Sequence, residues 1–237
     1  RGRDVRRWIA QPSAHIVLAQ NPVTRTGIPE KDMKLRLPNT YAYLKMFEKQ
    51  LLQRKSTSVK KLMSAGAFYS MFAVAQQTVA PWKVMWRDMG SRIQVVVVGK
   101  QDGKAICPEH HVMAVDFAEP QEAHYLCAVL NSAPAECVVA AYTTTTGISA
   151  HVLEHIKIPK FKPENDLHQR LCDLSQQSHA AAAMGDTDTL ADLELQVDRA
   201  AADLWGITDE ELAAIQDALR NAPTDTVADQ EDDSSDE

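Results

Sequence analysis

His151-Val152-Leu153-Glu154-His155 places two imidazoles and a carboxylate within five residues. Their order matches H-x-x-E-H, in which a helix turns both rings toward one zinc ion and the Glu activates a water molecule for hydrolysis. Cys107-x-x-His110 and His124-x-x-Cys127 have the inner spacings of a structural zinc site. The surroundings of both sets favour other roles. The chain from Gly147 to a predicted strand at Ile156–Pro159 is too short for a metal-binding helix, and no third ligand stands out. Cys127 falls with Leu126 in the core of a predicted helix, where a thiol serves as a small hydrophobe, and Cys137 and Cys172 are expected to be buried thiols. No metal is expected. The sequence also lacks G-x-x-x-x-G-K-[ST], G-x-G-x-x-G after a strand, and G-x-S-x-G. No catalytic residue is assigned.

The sequence does offer positive charge, unevenly placed. The net charge is −7, yet residues 1–110 hold nineteen Lys and Arg against seven Asp and Glu, a balance of +12. Residues 111–237 carry −19. Such segregation points to a polyanionic partner for the first half, while the acidic half is a second place where the same charges can dock. Arg1, Arg3, Arg6 and Arg7 surround Trp8, and Lys60 and Lys61 lie in Ser56–Gly66, a predicted polar connector. The apolar runs Trp82–Trp86 and Ile93–Val98 flank Asp88-Met89-Gly90-Ser91, the pattern of a hairpin. Arg87 and Arg92 then stand at the two mouths of the turn, with Lys83 alternating out of the first strand. In Tyr142-Thr143-Thr144-Thr145-Thr146-Gly147, hydroxyls beside a flexible Gly suit a loop that bonds phosphates or base edges. A β-branched strand end followed by a turn is the plainer reading of the same run. The DNA-binding candidates are Arg3, Arg6, Arg7, Lys60, Lys61, Lys83, Arg87, Arg92, Thr144, Thr145, Thr146 and Gly147.

The elements that must position them give a mixed α+β chain. The continuously apolar Val95–Val98 predicts a strand buried on both faces in the middle of a sheet. His15–Ala19 reads as an N-terminal strand before a long loop through Pro22, Gly27, Pro29 and Pro38. A helix follows from Asn39 or Thr40 to about Lys55, with Tyr41, Leu44, Phe47 and Leu51 on one face. Phe68–Thr78 suits strand or helix equally. Gln101-Asp102-Gly103-Lys104 is a second turn and Val112–Phe117 a further strand, and helices are predicted at Gln121–Asn131 and Pro134–Ala141. From Asn165 the period is helical: Leu167, Leu171, Leu174 and Ala181 form one stripe and Leu190, Leu193, Val197, Ala201 and Leu204 another. Met184-Gly185-Asp186 joins them as an antiparallel hairpin. Thr208 and Glu211 form a capping box for a final helix to about Arg220. Residues 222–237, acidic and nearly without apolar groups, are expected to be disordered. The expected organisation is a twisted sheet flanked by helices over 1–162, the helical hairpin over 163–221, then the tail.

No apolar run approaches the roughly 18 to 20 residues that cross a bilayer, and the N-terminus lacks a signal-peptide pattern. The cytoplasm is the expected compartment. The abrupt start without Met suggests a piece of a longer protein.

Several stretches, in order, resemble the C-terminal target recognition (TaqI-like specificity) domain of type IIG and type II restriction-modification enzymes that are N6-adenine DNA methyltransferases. They are Gly2-Arg3-Asp4-Val5-Arg6-Arg7-Trp8, Thr40-Tyr41-Ala42-Tyr43-Leu44, Leu51-Leu52-Gln53-Arg54 and Trp82-Lys83-Val84-Met85-Trp86, then Leu130-Asn131-Ser132, Gly147–His151, Ile156-Lys157-Ile158-Pro159 and Leu204–Glu211. The likeness runs to about Arg220. Asn21-Pro22-Val23-Thr24 begins like the Asn-Pro-Pro-Tyr/Phe signature of the catalytic domain of amino-methylating DNA methyltransferases but lacks its second Pro and aromatic.

The resemblance implies a module that reads double-stranded DNA and contains no catalytic residues, beside an upstream methyltransferase domain. That domain would bind S-adenosylmethionine, and Mg would serve any fused nuclease. Recognition residues vary within the family, so the candidates above rest on charge and position. The alternative expectation is a protein-protein interaction module that recruits a partner through the helical hairpin.

Overall fold

The computed structural model describes residues 1–90, 92–143 and 147–222. The elements in chain order are β1 (Val5–Arg6), β2 (Ile9–Ala10), β3 (Gln20–Asn21), β4 (Thr26–Gly27), α1 (Glu30–Arg36), α2 (Pro38–Met46), α3 (Glu48–Leu52) and α4 (Thr57–Ser64). There follow β5 (Trp82–Arg87), β6 (Val95–Val98), β7 (Val112–Phe117), α5 (Pro120–Asn131), α6 (Ala133–Tyr142), α7 (Asp166–Met184), α8 (Thr187–Trp205) and α9 (Asp209–Asn221). The fold is mixed, with small antiparallel sheets among helices. No single helix among the described residues is long and apolar enough to cross a membrane.

Residues 1–14 and 80–222 form one compact unit around the sheet β6-β5-β7. Alternation sorts the strands' side chains onto two faces. Val84, Trp86, Val95 and Val97 join the main core with α5, α6, α7 and α8, while Met85, Val96, Val98 and Val112 pack on Val5, Ala10 and Ile106. β6 is therefore covered on both faces as expected, but it is an edge strand and β5 holds the centre.

That edge is closed by side chains. Asn131, wholly buried at the end of α5, accepts from Val95 N at 3.0 Å and donates to Val95 O at 2.8 Å, so its amide imitates a neighbouring strand. His179 on α7 accepts from Val97 N at 2.9 Å, and Trp8 N donates to Val95 O at 3.1 Å. Val95 N, Val95 O and Val97 N, which would otherwise lie buried and unpaired, each find a partner here.

The helices end where their sequence says they should. Ser132 accepts from Ala135 N to start α6, and Asn165 accepts from Leu167 N and His168 N to start α7. Gly185 ends α7 at φ 70°, a left-handed turn that side chains resist, and reverses the chain into α8. Thr208 and Glu211 form the expected capping box on α9. The hairpin packs through α7 on α5 and through α8 and α9 on α6, so the boundary expected at residue 162 falls inside one unit. Ile156–Pro159 forms no strand. Side chains satisfy its backbone instead: Tyr125 donates to Pro159 O at 2.9 Å and Trp205 to Lys157 O at 2.9 Å.

Residues 15–79 form the second unit. Its core is small, Ala19, Met33, Ala67, Phe68 and Tyr69 with Tyr41, Leu44 and Leu51 packed beside them. The single helix expected over 39–55 is two, α2 and α3, broken at Phe47. The connector expected at Ser56–Gly66 contains α4, whose first turn Ser56 caps through Val59 N. His15–Ala19 forms no strand, and within Phe68–Thr78 the only regular structure is a 3₁₀ turn beginning at Gln76.

Two outcomes follow from this core. Asn131→Ala leaves Val95 N and Val95 O buried without that partner and lowers unfolding free energy in urea by about 3 kcal/mol. His124 on α5 bonds Ser175 Oγ at 3.0 Å, and burial, then the nearby His179, pulls its pKa down to about 4. The unfolded imidazole titrates near 6.5, so as pH falls through 6.5 the unfolded chain takes up a proton that the folded chain refuses. The stability present above that pH is lost toward pH 4, by at most about 3 kcal/mol. Burial also lowers the pKa of His168 and His179, which adds to the slope. Urea midpoints measured between pH 7.5 and 4.5 should fall less steeply in His124→Gln, whose amide keeps the bond to Ser175.

Candidate nucleic-acid interface

The end of β5 is held from two sides. Asp88 N donates to His111 O at 3.0 Å across to the start of β7, and Asp88 O accepts from Ile148 N at 2.6 Å. Met89 pairs with Gly147 in an antiparallel bridge, and the Trp86 indole donates to Ile148 O at 3.0 Å. The β5–β6 turn and the segment after α6, almost sixty residues apart in sequence, are thereby zipped together. Gly90 lies at φ 141°, open to glycine and strained for other residues, and folds the turn beneath the Arg87 guanidinium.

At this end stand half-buried Arg87, the Asp88–His111 pair at 3.3 Å, and exposed Met89 and Gly147; exposed Tyr142, the last residue of α6, stacks its ring on His155. Thr144, Thr145 and Thr146 lie outside the described residues. Sequence reasoning selected Arg87 and Gly147 and missed the Asp88–His111 pair. The bridge that gathers them is a long-range pairing without a local signal.

Three candidates are corrected. Lys83 does not alternate into solvent: at 2% exposure its side chain lies on the Met85 face, and Nζ donates to Ala80 O at 2.7 Å. Desolvation lowers its pKa from the usual lysine range, a shift that Cys107 and Asp116 partly offset. Arg7 donates to Asn131 O at 2.7 Å and pairs with Glu136 at 3.4 Å and with Glu194. Arg92 pairs with the same Glu136 at 3.5 Å and donates to Leu219 O. Both arginines thus tie the basic N-terminal part to helices of the acidic half through a carboxylate only 8% exposed.

Arg3 and Arg6 are exposed in the first unit, and Lys60 and Lys61 are exposed on α4 of the second. That second unit carries ten Lys and Arg against three Asp and Glu.

The zinc-like spacings do not assemble. His124 is engaged with Ser175, and Cys127 is fully buried with its thiol pushed far up by desolvation. Cys107 is half-buried, its thiol pushed up by burial, beside Lys83. His151 pairs with Glu154 at 3.0 Å on an exposed 3₁₀ turn, and the His155 ring faces Tyr142. Among the described residues no group of three His, Cys, Asp or Glu could hold a metal ion. No protein-family model matches this chain, and no curated protein matches it in sequence.

The two classes of arginine should behave differently. Arg7→Ala leaves Glu136 without one of its two cations and should cost roughly 2 kcal/mol of stability in urea, whereas exposed Arg6→Ala should stay within about 0.5 kcal/mol of the parent.

Proposed function

We propose that this chain is a sequence-specific double-stranded DNA recognition module of an adenine-specific DNA methyltransferase or fused restriction-modification enzyme. The observation that carries the reading is the pairing of Met89 with Gly147, which sets Gly147 beside the strand end that bears Arg87. Arginine at the end of a strand offers a bidentate donor pair that suits guanine O6 and N7 in a major groove. Asp88 beside it supplies an acceptor for a base amino group. Arg3, Arg6, Lys60 and Lys61 are exposed cations suited to phosphate, which binds without regard to sequence. Thr144, Thr145 and Thr146 keep their proposed role in base or phosphate contact, while Lys83, Arg7 and Arg92 leave the set. An upstream methyltransferase domain, in the cytoplasm, would supply S-adenosylmethionine-dependent chemistry.

The interaction-module reading has less support. Much of the apolar stripes of α7 and α8 is buried within the first unit, where Leu171, Leu174, Leu193 and Val197 join the main core. The hairpin is largely occupied.

Anisotropy of a labelled random-sequence duplex, titrated from 25 to 300 mM salt on the ~10² mM scale where counterion release is read, tests the proposal. Four phosphate contacts predict a slope of log affinity on log salt of about −4. Lys60→Ala should make the slope shallower by about 1 on every duplex, while Arg87→Ala should cost about 1–3 kcal/mol on a selected target and nothing on random sequence. Absence of binding at the lowest salt would overturn the reading.

A further inference from the structure

Helix α2 of the second unit is apolar on two faces. At about 100° per residue, Tyr41 and Leu44 turn to one side, where they pack beside the small core of Met33, Phe68 and Tyr69. Ala42, Tyr43, Met46 and Phe47, the residue that ends α2, fall within an arc of about 140° centred nearly opposite. All four are exposed, Tyr43 at 52% and Met46 at 73%, and no residue of α2 is buried. The rings of Tyr43 and Phe47 meet edge-on with centroids 5.1 Å apart, so the outer stripe packs on itself. An apolar stripe of this kind turned toward water marks a surface that something else covers.

The neighbouring helices share the character. Of the fourteen large apolar side chains exposed among the described residues, ten lie in residues 15–79, the smaller unit. The exposure therefore belongs to this unit and is not the single scattered residues that any surface carries. Leu35 on α1 is 77% exposed and Leu52 on α3 is 53% exposed. Cations interleave them in sequence: Leu35 stands between Lys34 and Arg36, Met46 follows Lys45, and Leu52 lies between Lys49 and Lys55. Seven of the ten cations of this unit are Lys.

That composition selects the occupant. Protein interfaces gather Arg and aromatic rings but are depleted in Lys. A nucleic acid would take up the ammonium groups, yet its backbone offers the tips of Leu35, Met46 and Leu52 no apolar layer to enter. An anionic bilayer accepts both, because Lys stays among the phosphates while apolar tips reach the boundary of the acyl chains.

We propose that the second unit docks on the surface of an anionic phospholipid bilayer, with the outer stripe of α2 inserted at the interface and the surrounding lysines on headgroup phosphates. The inference goes beyond the DNA-recognition reading and does not depend on it.

The test is co-sedimentation of the full chain with two kinds of vesicle, phosphatidylcholine alone and phosphatidylcholine with about one-third phosphatidylglycerol. The anionic vesicles should bind at least about tenfold tighter. Met46→Ser should weaken that binding about tenfold, while Met46→Leu, which keeps the apolar tip, should bind like the parent. The exposure of Met46 leaves the fold of both variants intact, and neither should alter affinity for duplex DNA. No binding to anionic vesicles overturns the proposal, and so does equal binding by the parent and Met46→Ser, since charge alone would then account for it. Both results leave DNA recognition standing.

Discussion

The amide of Asn131 is the contact on which the first unit depends. A three-stranded sheet has two edges, and β6 presents one of them inside the protein, where water cannot satisfy its outward N–H and C=O groups. Asn131 meets both groups of Val95 at once, and His179 meets Val97 two residues on. Because these partners come from α5 and α7, closing the strand edge also fixes both helices against the sheet. The residue after Asn131 caps α6, and the next amide, Ala133 N, donates to Asp198 of α8 at 2.7 Å. Three consecutive residues therefore join a strand and three helices.

Charge is organised around the same junction. Arg7 bonds the carbonyl of Asn131 and shares Glu136 with Arg92, so part of the basic excess of the first 110 residues is neutralised by the acidic helical half. Burying Glu136 would be costly without two guanidinium groups facing it. The polyanion signal in the composition is real charge, but some of it is internal structure. Exposed cations of the first 110 residues include Arg3, Arg6, Lys100 and Lys104 in the first unit, and the second unit is strongly basic.

The opposite end of α6 has another character. There Tyr142 stacks on His155, and Gly147, five residues on, pairs with Met89, the neighbour of Asp88 in the Asp88–His111 pair. Backbone pairings hold the Met89 and Gly147 segments together.

The sequence alone determined the elements governed by local rules. Alternating and continuous apolar runs marked β5, β6 and β7; period and caps marked α5, α7, α8 and α9; Gly185 marked the reversal of the hairpin. Those signals lie within a few residues of what they specify. Only the tertiary structure decided the rest. Lys83 occupies a position that alternation marks as solvent-facing, yet β1, β2 and Ile106 cover that face of the sheet. Arg7 and Arg92 look like surface cations until Glu136 arrives from α6. Ile156–Pro159 has a strand's composition, but Tyr125 and Trp205 take the hydrogen bonds a strand neighbour would have made. The meeting of Met89 with Gly147, and with it the candidate interface, joins residues 58 positions apart. Such pairings follow from how the whole core closes, and no local pattern encodes them.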